Sequence, residues 1–138
     1  MFKNIQFILH KPQLSENIGA CARAMKNFNF SNLTVINPKP IYPNDKIIAT
    51  SVGAKDIIKK SKSYQSLETV VKNIDCLIST TARFRNKNIK HIQLNELKKI
   101  DFTQKVGFLF GSEASGLSNS EISYSNYVLR IPTNTKFK

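Results

Sequence analysis

Short apolar runs that alternate with helical patterns constrain the fold of this chain more than any other feature. Five runs are rich in β-branched or aromatic residues and have turn residues beside them, which is typical of buried strands. They cover residues 5–9, 32–37, 76–82, 106–111 and 127–132. Because strands that alternate with helices pack as a sheet covered by those helices, the pattern predicts an α/β domain with a mainly parallel sheet flanked by helices.

Three helices are predicted between these strands. In the first, over residues 15–28, apolar residues recur at helical spacing, and Ser15 is the predicted N-cap. Helices are also predicted within 44–52 and 66–74, the last with Ser66 as its cap. The stretch 83–99 is rich in Asn, Lys and Arg, and it predicts a solvated connection that contains a short helix.

The composition indicates one soluble domain. A chain of 138 residues, of which 41% are hydrophobic, is long enough to build one core. Its apolar runs fall short of the roughly 20 residues that span a bilayer, and the N-terminus lacks the features of a signal peptide, so no membrane association is predicted. Cys21 and Cys76 lie far apart in the sequence, which favours reduced thiols and a cytoplasmic location.

The charge balance points to a polyanionic partner. Twenty-one Lys and Arg residues stand against nine Asp and Glu residues, which gives a net charge of +12. Such an excess predicts binding to nucleic acid. The alternative interpretation is that a chain rich in Lys, Asn and Ile reflects the codon usage of an A+T-rich genome.

Several kinds of site are not indicated by the sequence. It contains no G-x-G-x-x-G dinucleotide motif, no P-loop and no G-x-S-x-G nucleophile motif. His10 and His91 stand in no cluster with the spacing of metal ligands, so no metal site is predicted.

The first predicted helix carries a polar face that suits an anionic ligand. On a helical wheel, Gly19, Arg23 and Lys26 lie opposite the apolar face, and Asn17 lies in the first turn. A glycine one turn before an arginine lets a backbone or a phosphate approach. The alternative interpretation is that Arg23 and Lys26 are ordinary surface charges.

The loop GSEASGLSN, residues 111–119, follows the fourth predicted strand. Open α/β sheets place ligands at the carboxyl ends of their strands, and small residues there leave room and backbone hydrogen-bonding groups for a flat ligand. Glu113 is the one charged residue of the loop. The alternative interpretation is a plain turn from strand to helix.

Together, these two stretches resemble a known family. ENIGACARAMKNFNFSNLTVINP resembles the first motif of SpoU-type RNA 2′-O-ribose methyltransferases, which belong to the SPOUT class and TrmH superfamily. FLFGSEASGLSN resembles the second motif, and LRIPTN resembles the start of the third. The resemblance is closest to the branch of tRNA (cytidine/uridine-2′-O)-methyltransferases, and it spans essentially all of residues 1–138 as one domain.

The resemblance implies a parallel sheet whose C-terminal segment threads into a trefoil knot, with S-adenosylmethionine bound at the knot. It implies methylation of a ribose 2′-hydroxyl of RNA, in tRNA at an anticodon-loop pyrimidine or else in rRNA. It also implies a homodimer. Carried onto this sequence, the residues that bind the cofactor are Thr80, Thr81, Ala82, Gly111 and Ile131.

The resemblance also assigns the residues that act on the RNA. Arg23 is the implied catalytic residue, with Asn17 and Glu113 holding its guanidinium and the ribose in place. Because arginine stays protonated at neutral pH, a role in binding the adjacent phosphate and stabilising the developing alkoxide is preferred to a role as general base. Arg23 and Lys26 are the predicted RNA-binding residues.

The sequence departs from the family pattern after IPTNTKFK, where relatives continue into Ser-Leu-Asn and a helix. Those residues cover the adenosine and complete the knot, so an incomplete knot and weak cofactor binding are expected for this sequence. The alternative function is that of a non-catalytic member of the family that keeps only RNA binding.

Overall fold

The computed structural model describes residues 3–81 and 88–131, in which strands alternate with helices as the sequence predicts. The strands are β1 (Ile5–His10), β2 (Asn32–Ile36), β3 (Lys62–Tyr64), β4 (Cys76–Thr81), β5 (Lys90–Ile92), β6 (Val106–Phe110) and β7 (Tyr127–Arg130). The helices are α1 (Ser15–Asn27), α2 (Asp45–Thr50), α3 (Lys55–Lys60), α4 (Leu67–Val71), α5 (Asn119–Ile122) and a 3₁₀ helix over Leu94–Lys99.

The strands form one sheet in the order β3-β2-β1-β6-β4-β7-β5, and every pairing between the described strands is parallel. The strand carboxyl ends therefore lie at one edge. The chain runs outward from β1 through β2 to β3 on one side, whereas β6, β4, β7 and β5 lie on the other side in that order. The boundary between β1 and β6 is a switch point, which is where open α/β sheets place their sites.

Both faces of the sheet are covered, which explains the continuous apolar runs of its central strands. On one face, α1, α2 and α3 bury Ile18, Ile47 and Ile57 against β2. On the other, α4 and α5 contribute side chains to a cluster around Ile8 of β1 and Leu109 of β6. The resulting core holds the carboxyl ends of the central strands in fixed register.

The predictions for the start of α1 were partly wrong. Leu14, not Ser15, is the N-cap, and Ser15 is the first helical residue, whose hydroxyl accepts a hydrogen bond from the Asn44 side chain at 3.1 Å. Gly19 was placed on the exposed face, but it is buried: a Cβ there would lie 2.1 Å from Thr50 Oγ1 and 2.9 Å from the Thr50 backbone carbon. The absent side chain admits helix α2 rather than a ligand.

Other elements were not predicted. The three-residue strands β3 and β5 and the short helices α3 and α5 were not predicted from the sequence. Ser66 does lie at the N-cap of α4, but its hydroxyl contacts Thr69 Oγ1 at 3.0 Å and caps no backbone N–H. The strands predicted over 76–82 and 127–132 extend onto Ala82 and Pro132, which lie outside the described residues.

The predicted knot concerns the C-terminal segment, of which residues 132–138 lie outside the described range, so the knot remains a prediction. Among residues 3–81 and 88–131, no helix is long and apolar enough to cross a membrane. Within the same ranges, no group of three or more His, Cys, Asp and Glu side chains is arranged to hold a metal ion. Cys21 and Cys76 are both free thiols.

Candidate active site

The loop after β6 folds back on itself at the carboxyl edge of the sheet. Ser112 and Gly116 form an isolated antiparallel bridge, and the Gly116 N–H donates to the Ser112 carbonyl at 2.9 Å. Gly116 has a φ of +67°, which favours glycine. A Cβ at Gly111 would lie 2.3 Å from the Gly116 backbone carbon and 2.5 Å from the Leu117 backbone nitrogen. The loop therefore closes tightly over the end of β6, and only glycine fits at position 111.

Glu113, in this loop, caps the start of α1. Its carboxylate accepts hydrogen bonds from the backbone N–H of Gln13 at 3.1 Å, from the backbone N–H of Leu14 at 2.9 Å and from Asn17 Nδ2 at 3.1 Å. Leu14 provides no side-chain cap of its own. The N–H of the N-cap Leu14 is one of the helix donors that lack an intrahelical partner, Gln13 lies one residue before the helix, and a carboxylate there also meets the positive end of the helix dipole. The cap of α1 is thus supplied by a residue that lies about 100 positions after the start of the helix.

These contacts lower the pKa of Glu113. Partial burial raises the pKa of Glu113, but the hydrogen bonds from Gln13, Leu14 and Asn17 outweigh this effect and hold the pKa below its ordinary value. The carboxylate is therefore ionised at neutral pH, which is the form that can accept all these hydrogen bonds.

The structure brings two of the three predicted catalytic residues together. Asn17 donates directly to Glu113, whereas Arg23 lies six residues further along α1, about 9 Å along the helix axis at 1.5 Å per residue. Among the residues that the structure describes, the Arg23 side chain has neither a hydrogen-bond nor an ion-pair partner. The predicted roles of these residues remain predictions.

Arg23 lines an open groove between α1 and the turn from α2 to α3, with a volume of about 400 Å³. Lys26, the other predicted RNA-binding residue, lines the same groove, and its Nζ lies 2.9 Å from Asp56 Oδ2 on α3. The described residues that line it are Ala20, Arg23, Ala24, Lys26, Asn27, Val52 and Gly53. The polar face predicted from the sequence is thus one wall of a groove whose other wall comes from a separate element.

The predicted cofactor residues gather at the carboxyl edge of neighbouring strands. Thr80 and Thr81 end β4, Gly111 follows β6 and Ile131 follows β7, and β4 pairs with both of the other strands. Thr80 Oγ1 donates to the Leu109 carbonyl at 3.0 Å, and the Ile131 N–H donates to the Thr81 carbonyl at 2.9 Å.

These four described residues are half-buried. Half-buried apolar and hydroxyl groups around a glycine suit a flat, mostly apolar ligand with a few polar atoms. Ala82 lies outside the described residues.

A second contact near this loop, between His10 and Glu121, was not predicted from the sequence. His10, at the end of β1, is 6% exposed, and its Nδ1 lies 3.2 Å from Glu121 Oε2 on α5. The pKa of His10 lies below its ordinary value. Burial and, to a smaller extent, the positive charge of Lys11 lower this pKa, whereas the negative charge of Glu121 raises it. Ser118 and Glu121 form a capping box, and the spacing S-x-x-E was a signal for α5 that could have been used. No local pattern indicated that Gln13 and Leu14 would bind Glu113.

Comparison with known proteins finds similarity to RNA methyltransferases over nearly the whole chain. Residues 4–138 match the model of the SpoU rRNA Methylase family. A protein of Photorhabdus laumondii named tRNA (cytidine/uridine-2′-O-)-methyltransferase TrmJ is 33% identical over 141 residues, covering 99% of this chain and 58% of that protein. The chain thus spans somewhat more than half the length of this curated relative.

Solved structures agree with the observed fold. The crystal structure of TrmJ from Z. mobilis matches with a TM-score of 0.87 at 27% identity, covering 96% of this chain and 60% of that one. The SpoU methyltransferase AviRb from Streptomyces viridochromogenes, solved in complex with AdoMet, matches with a TM-score of 0.71 at 20% identity, covering 94% of this chain and 51% of that one. The second match bears on the fold alone.

Proposed function

This chain belongs to the SpoU rRNA methylase family, and we propose that it transfers a methyl group from S-adenosylmethionine to a ribose 2′-hydroxyl of RNA, with tRNA as the substrate class. The observation that carries this proposal is the contact of Glu113 with the start of α1. It joins the loop of the second motif to the helix of the first motif, so the residues that the resemblance assigns to one site lie on segments in direct contact. The similarity to a tRNA 2′-O-methyltransferase supports the choice of substrate.

In this proposal Arg23 acts on the RNA. Its guanidinium is exposed and unpaired among the described residues, so it is available to a phosphate beside the reacting ribose. The planar fork of donors suits a phosphate oxygen and the alkoxide that develops on the 2′-oxygen. Arginine remains protonated at neutral pH, so Arg23 stabilises negative charge, and the proton of the 2′-hydroxyl would pass to solvent water in the open groove.

Asn17 and Glu113 act as positioning residues. Their hydrogen bonds fix the loop after β6 against the first turn of α1, and this sets the distance between the carboxyl edge of the sheet and the helix that carries Arg23. A methyl transfer depends on such alignment, since correctly oriented reactants supply much of the rate enhancement.

The carboxyl edge formed by Thr80, Thr81, Gly111 and Ile131 is the proposed binding place of S-adenosylmethionine. The cofactor supplies an activated methyl group, so the protein needs to bind and orient rather than activate. The hydroxyl oxygens of Thr80 and Thr81 and the backbone of Gly111 provide polar contacts, and Ile131 provides an apolar surface. Ala82 is proposed for the same role.

The proposed working form is a cytoplasmic homodimer. An apolar groove of about 370 Å³ runs beside α1 and includes Phe28, which is 70% exposed. Exposed apolar patches of this kind typically mark interaction sites. The groove is lined by Phe7, Leu9, Cys21, Ala24, Met25, Phe28, Phe30 and Phe110. Ala24 also lines the groove of Arg23, so a second copy seated here would lie next to that arginine.

A methylation assay tests the proposal. The chain is incubated with an unmodified tRNA transcript and S-adenosylmethionine, and the RNA is digested to nucleosides for mass spectrometry. The expected product is a 2′-O-methylated pyrimidine, absent when the target nucleotide is replaced by its 2′-deoxy form. Methylation of a base would contradict the proposal. RNA binding without any methylation would favour the second candidate, a non-catalytic RNA-binding member of the family.

A further inference from the structure

The groove that Arg23 lines is also lined by Lys26, which forms an ion pair with a carboxylate of the protein. Lys26 Nζ lies 2.9 Å from Asp56 Oδ2, and the two side chains are 52% and 47% exposed. We propose that Asp56 competes with an RNA phosphate for Lys26 and thereby limits the affinity of this groove for RNA. The inference rests on the proposed RNA substrate, and it assigns to Asp56 a role in setting how tightly that substrate is held.

The shape of the groove suits a ribose-phosphate backbone. Besides the two cations, α1 contributes the small side chains of Ala20 and Ala24 and the polar side chain of Asn27 to the groove. On the opposite wall, Gly53 has a φ of +77° and no heavy atom within 4 Å of the position that a Cβ would take, so this wall is open. Val52 beside it is 69% exposed and offers an apolar contact.

Arg23 and Lys26 are three residues apart, so their side chains lie on neighbouring turns of the same helical face. A phosphate bound to the guanidinium fork of Arg23 is therefore within reach of the Lys26 ammonium. In the free protein that ammonium already contacts the carboxylate of Asp56. A phosphate that takes this place leaves a carboxylate next to its own negative charge, which opposes binding.

Asp56 is suited to this competition because it is charged and weakly held. The hydrogen bond from Lys26 lowers the pKa of Asp56, so the carboxylate is ionised at neutral pH. An ion pair between exposed side chains is only modestly stable, so a phosphate is able to displace Asp56 at a limited cost. The pair therefore reduces the affinity for RNA without closing the groove.

Binding measurements on matched variants test the inference. The full chain and its variants are titrated with an unmodified tRNA transcript at several salt concentrations. Asp56→Asn is expected to raise the affinity about two- to five-fold and to steepen the plot of log affinity against log salt by up to about 0.7, because one more phosphate contact releases counterions. Asp45→Asn is the control: it removes an exposed carboxylate from neighbouring α2 with the same change in net charge, and its effect should be clearly smaller.

A second pair of variants separates a local effect from net charge. Lys26→Gln is expected to reverse the gain in the Asp56→Asn chain, because the gain requires the freed ammonium. The double variant keeps the net charge of the natural chain, +12. Equal effects of Asp56→Asn and Asp45→Asn would overturn the inference, and so would a gain that survives Lys26→Gln or a chain that binds no tRNA.

The proposed function and this inference fail in different ways. A chain that binds tRNA with the expected pattern but transfers no methyl group supports the role of Asp56 and contradicts the enzyme. If the chain methylates tRNA, but the Asp56→Asn and Asp45→Asn variants bind tRNA equally well, the proposed enzymatic function is supported and the proposed role of Asp56 is contradicted.

Discussion

The first turn of α1 and Arg23, further along the same helix, differ in how many contacts they make with the rest of the protein. At the start of the helix, the Glu113 carboxylate holds two backbone N–H groups and the Asn17 side chain. Two turns later, Arg23 projects into an open groove and has no partner among the described residues. The protein itself fixes the contact between the two motif segments, but it leaves the arginine for the substrate to position.

This difference has a physical basis. Helix N–H groups that lack partners cost free energy, so the fold gains by supplying a carboxylate to them. An arginine that must bind a phosphate would instead lose affinity if a protein carboxylate already held it. The structure therefore predicts that changes at the start of α1 alter stability, and that changes in the groove alter reaction or binding.

The largest expected effect lies in the groove. Arg23→Ala should lower the single-turnover rate of tRNA methylation by a factor on the order of 10² or more, as the loss of a donor to a developing oxyanion does. The thermal melting temperature should stay nearly unchanged, because the side chain is exposed and unpaired among the described residues. Rate and melting are measured on the same preparation.

Arg23→Lys is the matched control for that variant. It keeps the charge but not the planar fork, so little of the rate should return. A near-normal rate in Arg23→Ala would remove the arginine from the mechanism. A large drop in melting temperature would make Arg23 a structural residue and end the contrast with the start of the helix.

A smaller effect, on stability, is expected where α1 meets α2. Gly19→Ala places a Cβ 2.1 Å from Thr50 Oγ1 and 2.9 Å from the Thr50 backbone carbon, so the cost of overpacking should approach about 3 kcal/mol and exceed the gain of about 1 kcal/mol from replacing a helical glycine. Denaturant unfolding should show a net loss. Thr50→Ala in the same chain should recover part of it, and an increase in stability in Gly19→Ala alone would show that the two helices do not pack this closely.

The smallest expected effect concerns the cap of α1. Glu113→Gln should lower the free energy of unfolding by about 1 kcal/mol near neutral pH, since an amide cannot accept all the hydrogen bonds that the carboxylate accepts. The folded-state pKa of Glu113 is depressed, so this contribution is present above the unfolded pKa of about 4.3 and is lost as the pH falls through the folded value.

The difference between the natural chain and Glu113→Gln should therefore shrink on acidification below pH ~4.3. Glu16→Gln serves as the control, because Glu16 is an exposed carboxylate in the same turn of α1 whose pKa is also lowered, by its own backbone N–H and by Lys46 at 3.4 Å, but which accepts no hydrogen bond from Gln13, Leu14 or Asn17. If both variants lose the same stability at neutral pH, the cap has no special effect.

The sequence was a good guide to the central part of the sheet. β6 and the first half of β4 are buried on both faces and contain almost only apolar residues, so each run is visible on its own. The three-residue strands β3 and β5 both begin with an exposed lysine and depend on their neighbours for pairing. Nothing in their local composition distinguishes them from loops.

The candidate site was predicted in its members but not in its contacts. The motif resemblance identified Asn17 and Glu113, yet the backbone partners of Glu113 lie about 100 residues away and carry no side-chain signal. A helical wheel describes a helix in isolation, so it could not show that α2 packs on Gly19. For the same reason, it could not show that Asp56 of α3 reaches Lys26.

The cap of α1 by Glu113 is the contact on which the site depends, and its ionisation can be measured directly. In an NMR titration of the full chain with labelled glutamate, the Glu113 carboxyl should have a pKa below the ordinary value of about 4.3, and Asn17→Ala should move it upward by removing one hydrogen bond. A Glu113 pKa at or above the ordinary value, unchanged by Asn17→Ala, would show that the carboxylate does not hold the helix and that the two motif segments are not joined as described.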